Sequence, residues 1–377
     1  MSDIKRLIKH LSASCTSADV ASRRGSRSLS TVISPADMRA SFAAALDGGL
    51  AEIELGALMA LCANIESQRN AEMYSEILLG LSEAIRERVM PIASESNEYA
   101  SVVIPNYGDA NCGNAIPLIA IKLQRMGIRV LVHGALETVS GLANCGVFRE
   151  LGVLPVTTRG QAERRLAENG LALVPTSLIS PGLAAMMAFK GRLGVSTPAH
   201  VLADMLMPVV SEPQQSLHIL NIPSWLGALA DAESVVMQTP ALLSSSIDPA
   251  ESKFGSLDSR PQLQYRSGVD AETYAETRES EGNASGWQTL FQAEMESCAD
   301  TIAFTKLNQR MTSHNRTAAP SDTRGYAAWV RQRLDGNVAL PQPVVHQLAC
   351  CLYGTGYAQD FNQAKAIAAV ETGSLAA

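Results

Sequence analysis

The stretch from residue 101 to residue 155 constrains the fold of this chain more than any other. A short apolar run, Ser101-Val102-Val103-Ile104, breaks at Pro105-Asn106-Tyr107-Gly108-Asp109. A helical stretch follows from Asn114 to Met126, then a second apolar run, Ile128 to Val132, that ends in His133-Gly134. A third segment, Gly146 to Leu151, closes on Gly152. Strand, polar glycine loop, helix and strand make a βαβ unit, whose loops fall at the carboxyl ends of its strands. In open parallel sheets that edge holds ligands, often phosphorylated ones.

The rest of the chain repeats the alternation. Gly160 to Asn169 has amphipathic helical spacing, and Leu171 to Val174 reads as a strand. Pro181 to Phe189 starts a helix, Lys190-Gly191-Arg192-Leu193-Gly194-Val195 precedes a further helical stretch over Pro198 to Met207, and Leu217 to Asn221 and Val235 to Gln238 read as strands flanking a helix over Ser224 to Ala230. Before the unit the pattern is helical only. Apolar positions 4, 7, 8 and 11 share a face in the first helix, Ser34-Pro35 starts a second, and Glu52 to Ala63 and Asn70 to Glu87 follow before Pro91. Val344 to Leu352 and Asn362 to Val370 are terminal helices, whereas Leu243 to Gly286 degrades into Ser, Asp, Glu and Gly. The expected fold class is α/β: a small all-helical domain plus a large α/β domain with a central, mostly parallel sheet flanked by helices. The expected boundaries are 1–93 for the helical domain, with 190–212 packing onto it, and 94–189 with 213–377 for the α/β domain. Apolar faces on such short helices imply packing against another helical surface, a partner subunit included.

Composition limits the function classes. With 46% hydrophobic and 18% charged residues over 377 positions, the chain reads as a globular protein with sizeable cores. Seven cysteines without a C-x-x-C pair, and the apolar company of Cys62, Cys350 and Cys351, read as reduced buried thiols in a cytoplasmic protein. No apolar run reaches the roughly 18 residues of a membrane span, and the N-terminus lacks the apolar core of a signal peptide. The net charge of −7 means that only local patches could attract nucleic acid. Two exist. Over residues 1–30, Lys5, Arg6, Lys9, Arg23, Arg24 and Arg27 face two acids, a net of +4; over 306–333, six cations including Arg310 and Arg316 face Asp322, a net of +5. The acidic stretch 270–300, net −7, is placed to neutralise the second.

Several short pieces, taken together in order, resemble a known family. They are Leu55-Gly56-Ala57-Leu58-Met59-Ala60-Leu61, Val132-His133-Gly134, Val147-Phe148-Arg149-Glu150-Leu151-Gly152-Val153 and Arg192-Leu193-Gly194-Val195-Ser196-Thr197. This collinear set resembles the anthranilate phosphoribosyltransferase family. The tail, His346 to Leu352 with Gly354-Thr355-Gly356, looks more specifically like its YbiB branch, described as DNA-binding. The resemblance implies a homodimer formed through the helical domains and, in the branch, binding of DNA or RNA through Lys5, Arg6, Lys9, Arg23, Arg24, Arg27, Arg310 and Arg316. In the family itself it implies transfer of a phosphoribosyl group from phosphoribosyl pyrophosphate with Mg²⁺.

The chemistry implied by that family needs close-approach glycines, backbone donors, cations and metal-binding carboxylates. The family's Gly-Thr-Gly-Gly-Asp loop matches Pro105-Asn106-Tyr107-Gly108-Asp109, so only Gly108 and Asp109 persist. Asn114 follows in the segment Gly113-Asn114-Ala115-Ile116-Pro117-Leu118, where family hydroxyls are missing and Pro117 removes a backbone donor. The family's Lys-His-Gly-Asn becomes Val132-His133-Gly134-Ala135, Lys190 stands where an arginine fork is expected, and the Asp-Glu metal pair has no counterpart. The expectation is a vestigial phosphosugar cleft of Gly108, Asp109, Asn114, His133, Gly134 and Lys190, with no catalytic residue, no metal ligand and no cofactor. The alternative is a phosphoribosyl or glycosyl transferase that uses phosphoribosyl pyrophosphate and Mg²⁺ with a changed acceptor. His133 reads either as a structural hydrogen-bonder or as a catalytic base.

Overall fold

The computed structural model describes residues 5–12, 35–94, 97–107, 115–136, 144–194, 196–210, 215–223, 241–246, 262–266, 288–289, 322–336 and 338–371. The helical part opens with α1 (5–12), α2 (Pro35–Leu46), α3 (Glu52–Ser67) and α4 (Ala71–Arg86). Local chemistry sets their ends. Asn70 caps α4 by accepting from the Met73 N–H at 3.2 Å, and Glu54 reaches back to the Ala51 N–H at the start of α3.

The first strand, β1 (Ile92–Ala93), pairs with a later strand, β5 (Val209–Val210). Next come β2 (Ser101–Asn106), α5 (Ile116–Arg125), β3 (Val130–Gly134), α6 (Asn144–Glu150), α7 (Arg159–Asn169) and β4 (Leu171–Pro175). The chain then runs through α8 (Thr176–Ile179), α9 (Pro181–Leu193) and α10 (Pro198–Ala203) to β5 and β6 (Ser216–Pro223). After β7 (Ala241–Ser246), β8 (Gln262–Arg266) and β9 (Gln288–Thr289), three helices close the described chain: α11 (Thr323–Leu334), α12 (Gln342–Gly354) and α13 (Phe361–Glu371).

The main sheet has the order β4-β3-β2-β6-β7-β8-β9. It is parallel from β4 to β7, and antiparallel at β7–β8 and β8–β9. The central strands are apolar on both faces, and the register sorts those faces. Val103, Leu131, Val174 and Leu220 join one core with the buried faces of α1 to α4, α9 and α10. Val102, Ile104, Val130, Val132, Leu217 and Ile219 join a second core with α5 and α11 to α13. The sheet is the wall between two helical layers, as its nearly continuous apolar strands require.

The βαβ expectation holds as β2, α5 and β3. The segment around Gly146–Leu151 is helical, as α6. The helix expected to end at Phe189 takes in Lys190, Gly191 and Arg192, because the stop is Gly194 in the left-handed conformation (φ 73°). The stretch from Leu243 onward is not structureless. It contributes most of β7 and all of β8 and β9, strands rich in Ser and Gln that a search for apolar runs passes over. The helix expected over 224–230, the strand expected over 235–238 and most of the acidic stretch lie outside the described residues.

Among the described residues no helix is long and apolar enough to cross a membrane. Cys62, Cys145, Cys350 and Cys351 are buried and in no disulfide.

Candidate ligand crevice

From β2 the chain moves outward to β3 and β4, then returns to place β6 on the other side of β2. The direction of winding therefore reverses between β2 and β6. Parallel sheets open a crevice beyond the carboxyl ends of the strands at such a switch point. Here those ends are Asn106 at the end of β2 and Tyr107 just after it, His133 and Gly134 at the end of β3, and Asn221 toward the end of β6.

A polar cluster fills this corner. The Thr176 hydroxyl, at the first turn of α8, donates to the Tyr107 hydroxyl at 2.9 Å. That phenol lies 3.0 Å from His133 Nδ1, and the two rings meet edge-on with centroids 5.5 Å apart. The phenolic oxygen thus has two hydrogen-bond partners, the Thr176 hydroxyl that donates to it and His133 Nδ1. Asp204, buried at the end of α10, accepts from the Asn221 side chain at 3.4 Å, and its carbonyl accepts from the Asn221 N–H at 3.2 Å. His218 of β6 pairs with Val103 in register, so it shares the sheet face of His133, and it is equally buried.

The two imidazoles and the phenol are held uncharged. Burial, and after it the neighbouring His218, lowers the His133 pKa to about 3; burial alone takes His218 to about 4. Burial pushes the Tyr107 phenol up, with the Thr176 hydrogen bond opposing and the Asp204 charge adding. Neutral imidazoles and a protonated phenol cannot balance a pyrophosphate. Nor do they suit a hard divalent cation, which takes carboxylate and carbonyl oxygens. Among the described residues the carboxylate here, that of Asp204, is engaged by Asn221, and no group of three or more His, Cys, Asp or Glu side chains is placed to hold a metal. The described part of the crevice does not fit Mg²⁺.

Of the cleft residues expected from the sequence, His133 and Gly134 are at this corner. A Cβ on Gly134 would run into the Asn106 carbonyl oxygen, so the close approach of β2 and β3 itself demands glycine there. Lys190 is half-buried in the last turn of α9, about 14 Å along that helix from its start. Gly108, Asp109 and Asn114 lie outside the described residues. Pro117 falls in the first turn of α5, where the helix needs no N–H from it. Tyr107, Thr176, His218, Asp204 and Asn221 were not singled out from the sequence. Leu217-His218-Ile219-Leu220-Asn221 carries the missed signal, two polar residues in a run otherwise apolar.

The basic patches divide. Lys5, Arg6 and Lys9 are exposed on α1, opposite the buried Leu7 and Leu11. Arg23, Arg24, Arg27, Arg310 and Arg316 lie outside the described residues. The later block is partly internal. Arg333 is buried, with its guanidinium 3.6 Å from the Trp329 ring centroid, and Arg331 donates to the Glu150 carbonyl. Another concavity, between α2 and α4, is lined by Ala36, Ala40, Ala43, Arg39, Glu83, Glu87 and Arg88. Arg39 pairs there with Glu87 at 3.0 Å and Arg88 with Asp47 at 2.7 Å.

No family model matches the chain. The protein YbiB of Escherichia coli (strain K12) is 26% identical over 325 residues, 85% of this chain and 88% of that protein. The anthranilate phosphoribosyltransferase of Bacillus mycoides (strain KBAB4) is 26% identical over 144 residues, 37% of this chain and 41% of the enzyme. Among solved structures, anthranilate phosphoribosyltransferase from Thermus thermophilus superposes with a TM-score of 0.63 at 14% identity, covering 99% of this chain and 95% of that one. The Saccharomyces cerevisiae enzyme in complex with PRPP and Mg gives 0.60 at 12% identity, covering 90% and 89%. The chain is thus a homologue of YbiB with the anthranilate phosphoribosyltransferase fold.

Proposed function

We propose that this protein is a cytoplasmic, non-catalytic homodimer that binds nucleic acid without sequence preference. The observation that carries the non-catalytic part is the crevice corner. Its imidazoles and phenol are uncharged, Tyr107 is bonded to His133 and Thr176 and Asp204 to Asn221, and its glycine serves backbone packing. The nucleic-acid part rests on α1, whose exposed Lys5, Arg6 and Lys9 lead into Arg23, Arg24 and Arg27, and on the YbiB-like tail. A dimer would present that basic face twice. The later block contributes less than its sequence charge suggests, because Arg333 is buried.

A mobility-shift titration over a range of salt concentrations tests this reading. Binding should weaken steeply with salt, since each phosphate that the protein neutralises releases counterions. The variant Lys5→Ala/Arg6→Ala/Lys9→Ala should bind more weakly and flatten the salt slope by about 0.9 for each phosphate no longer neutralised. Absence of binding at micromolar protein in low salt would defeat it. The second reading, a transferase that uses phosphoribosyl pyrophosphate with Mg²⁺ and a changed acceptor, draws on the shared fold and on the partial likeness to the Bacillus mycoides enzyme.

A further inference from the structure

Tyr107 is the first residue after β2, at the switch point. Its ring is partly buried against the helical-side core, and its hydroxyl ties the end of β3 to the first turn of α8. One side chain thus spans three neighbouring elements at the edge where an α/β sheet receives ligands. The surrounding groups hold more hydrogen-bonding capacity than it uses: His133 Nε2 and both ring nitrogens of His218 are buried without a partner among the described residues. Cores rarely leave buried polar atoms unpaired, whereas binding sites do.

We infer that Tyr107 is a built-in occupant of the crevice, and that its phenol fills a site with the chemistry to hold a neutral hydroxy-aromatic ring. Thr176 is the donor to the ligand hydroxyl, His133 Nδ1 is its second hydrogen-bond partner, and the His133 ring packs edge-on with the aromatic ring. A small molecule that takes the place of this phenol must displace Tyr107 and break both hydrogen bonds. This deepens the non-catalytic reading and rests on it: the crevice is closed by a residue of the chain as well as poor in charge.

Chemical rescue in the full-length protein tests the inference. Tyr107→Gly vacates the ring volume and removes the hydroxyl. Phenol should raise the melting temperature of this variant in a saturating, dose-dependent way. Toluene, with the ring but no hydroxyl, should raise it less, and the wild type should respond to neither. An equal phenol response in the wild type would overturn the inference. So would no response in folded Tyr107→Gly, or toluene matching phenol, which would mark a plain apolar hole. Tyr107→Phe keeps the ring and guards against failure of the glycine variant to fold. It should melt lower than the wild type, ignore phenol and shift the ¹⁵N resonances of the His133 imidazole, because Nδ1 loses its hydrogen-bond partner. Unchanged His133 resonances would refute the proposed contact. A wild-type melting rise with phosphoribosyl pyrophosphate and Mg²⁺ would instead defeat the non-catalytic reading. A flat response there, with no phenol rescue, would remove the plug alone.

Discussion

His133 and His218 share one face of the sheet, buried and uncharged, and this sets a pH dependence. Their folded pKa values, about 3 and about 4, lie below the ordinary value of 6.5. Below pH 6.5 the unfolded chain therefore binds more protons than the folded one, and stability falls as the pH drops toward the folded values. Each histidine contributes at most about 1.4 kcal/mol per pH unit over that window. His218→Leu removes one of the pair, along with two unpartnered nitrogens, so its melting temperature should fall less between pH 6.5 and pH 4.5 than that of the wild type. Parallel curves would contradict this assignment. Arg333 gives a second residue-scale expectation. It covers Trp329 in the interior, so Arg333→Ala should destabilise by about 1–3 kcal/mol in denaturant unfolding and leave the salt slope of nucleic-acid binding unchanged. A flatter slope would return Arg333 to the binding surface.

At the scale of elements, α3 carries an outward stripe. Ile53 is 82% exposed, Ala60 is exposed and Ala57 is partly so, while Leu58, Met59, Cys62 and Ile65 face the core. Beside it α9 presents exposed Ala185 and Ala188, with Phe189 close to Gly56. Small and apolar residues there suit helix-on-helix contact between copies, as the proposed dimer requires. Ile53→Glu should convert a dimer to a monomer in light scattering after size exclusion, with the monomer still folded. A monomeric wild type, or a variant that stays dimeric, would contradict the arrangement. The strands and helices that form this frame were legible because the strands are short, nearly unbroken apolar runs, the helices repeat apolar residues at period 3.6, and Gly and Pro punctuate both. What escaped had specific causes. The polar strand β7 draws its pairing from β6, so its own composition says little. The end of α9 is set by one left-handed glycine beyond a basic Lys190-Gly191-Arg192 run that reads as loop. Gly182 is invisible as a packing residue until α9 is seen against the Leu46 carbonyl, where a Cβ would collide.

At the scale of the molecule, one sheet separates two helical cores and brings its carboxyl edge to a switch point. Sequence reading located that edge through His133-Gly134 and found its phosphate-gripping groups missing. It could not find the cluster that stands there, because Tyr107, Thr176, Asp204 and His218 are far apart in the chain and meet only once the strand order is known. The proposed non-catalytic role requires that the crevice of this chain has no place for a phosphosugar. The melting temperature of the full chain with increasing phosphoribosyl pyrophosphate and Mg²⁺ tests it most directly, because a ligand bound only by the native state must stabilise by mass action, about 2.7 kcal/mol at a hundredfold excess over Kd. A flat response through millimolar ligand is predicted. A saturable rise that depends on both phosphoribosyl pyrophosphate and Mg²⁺ would contradict it.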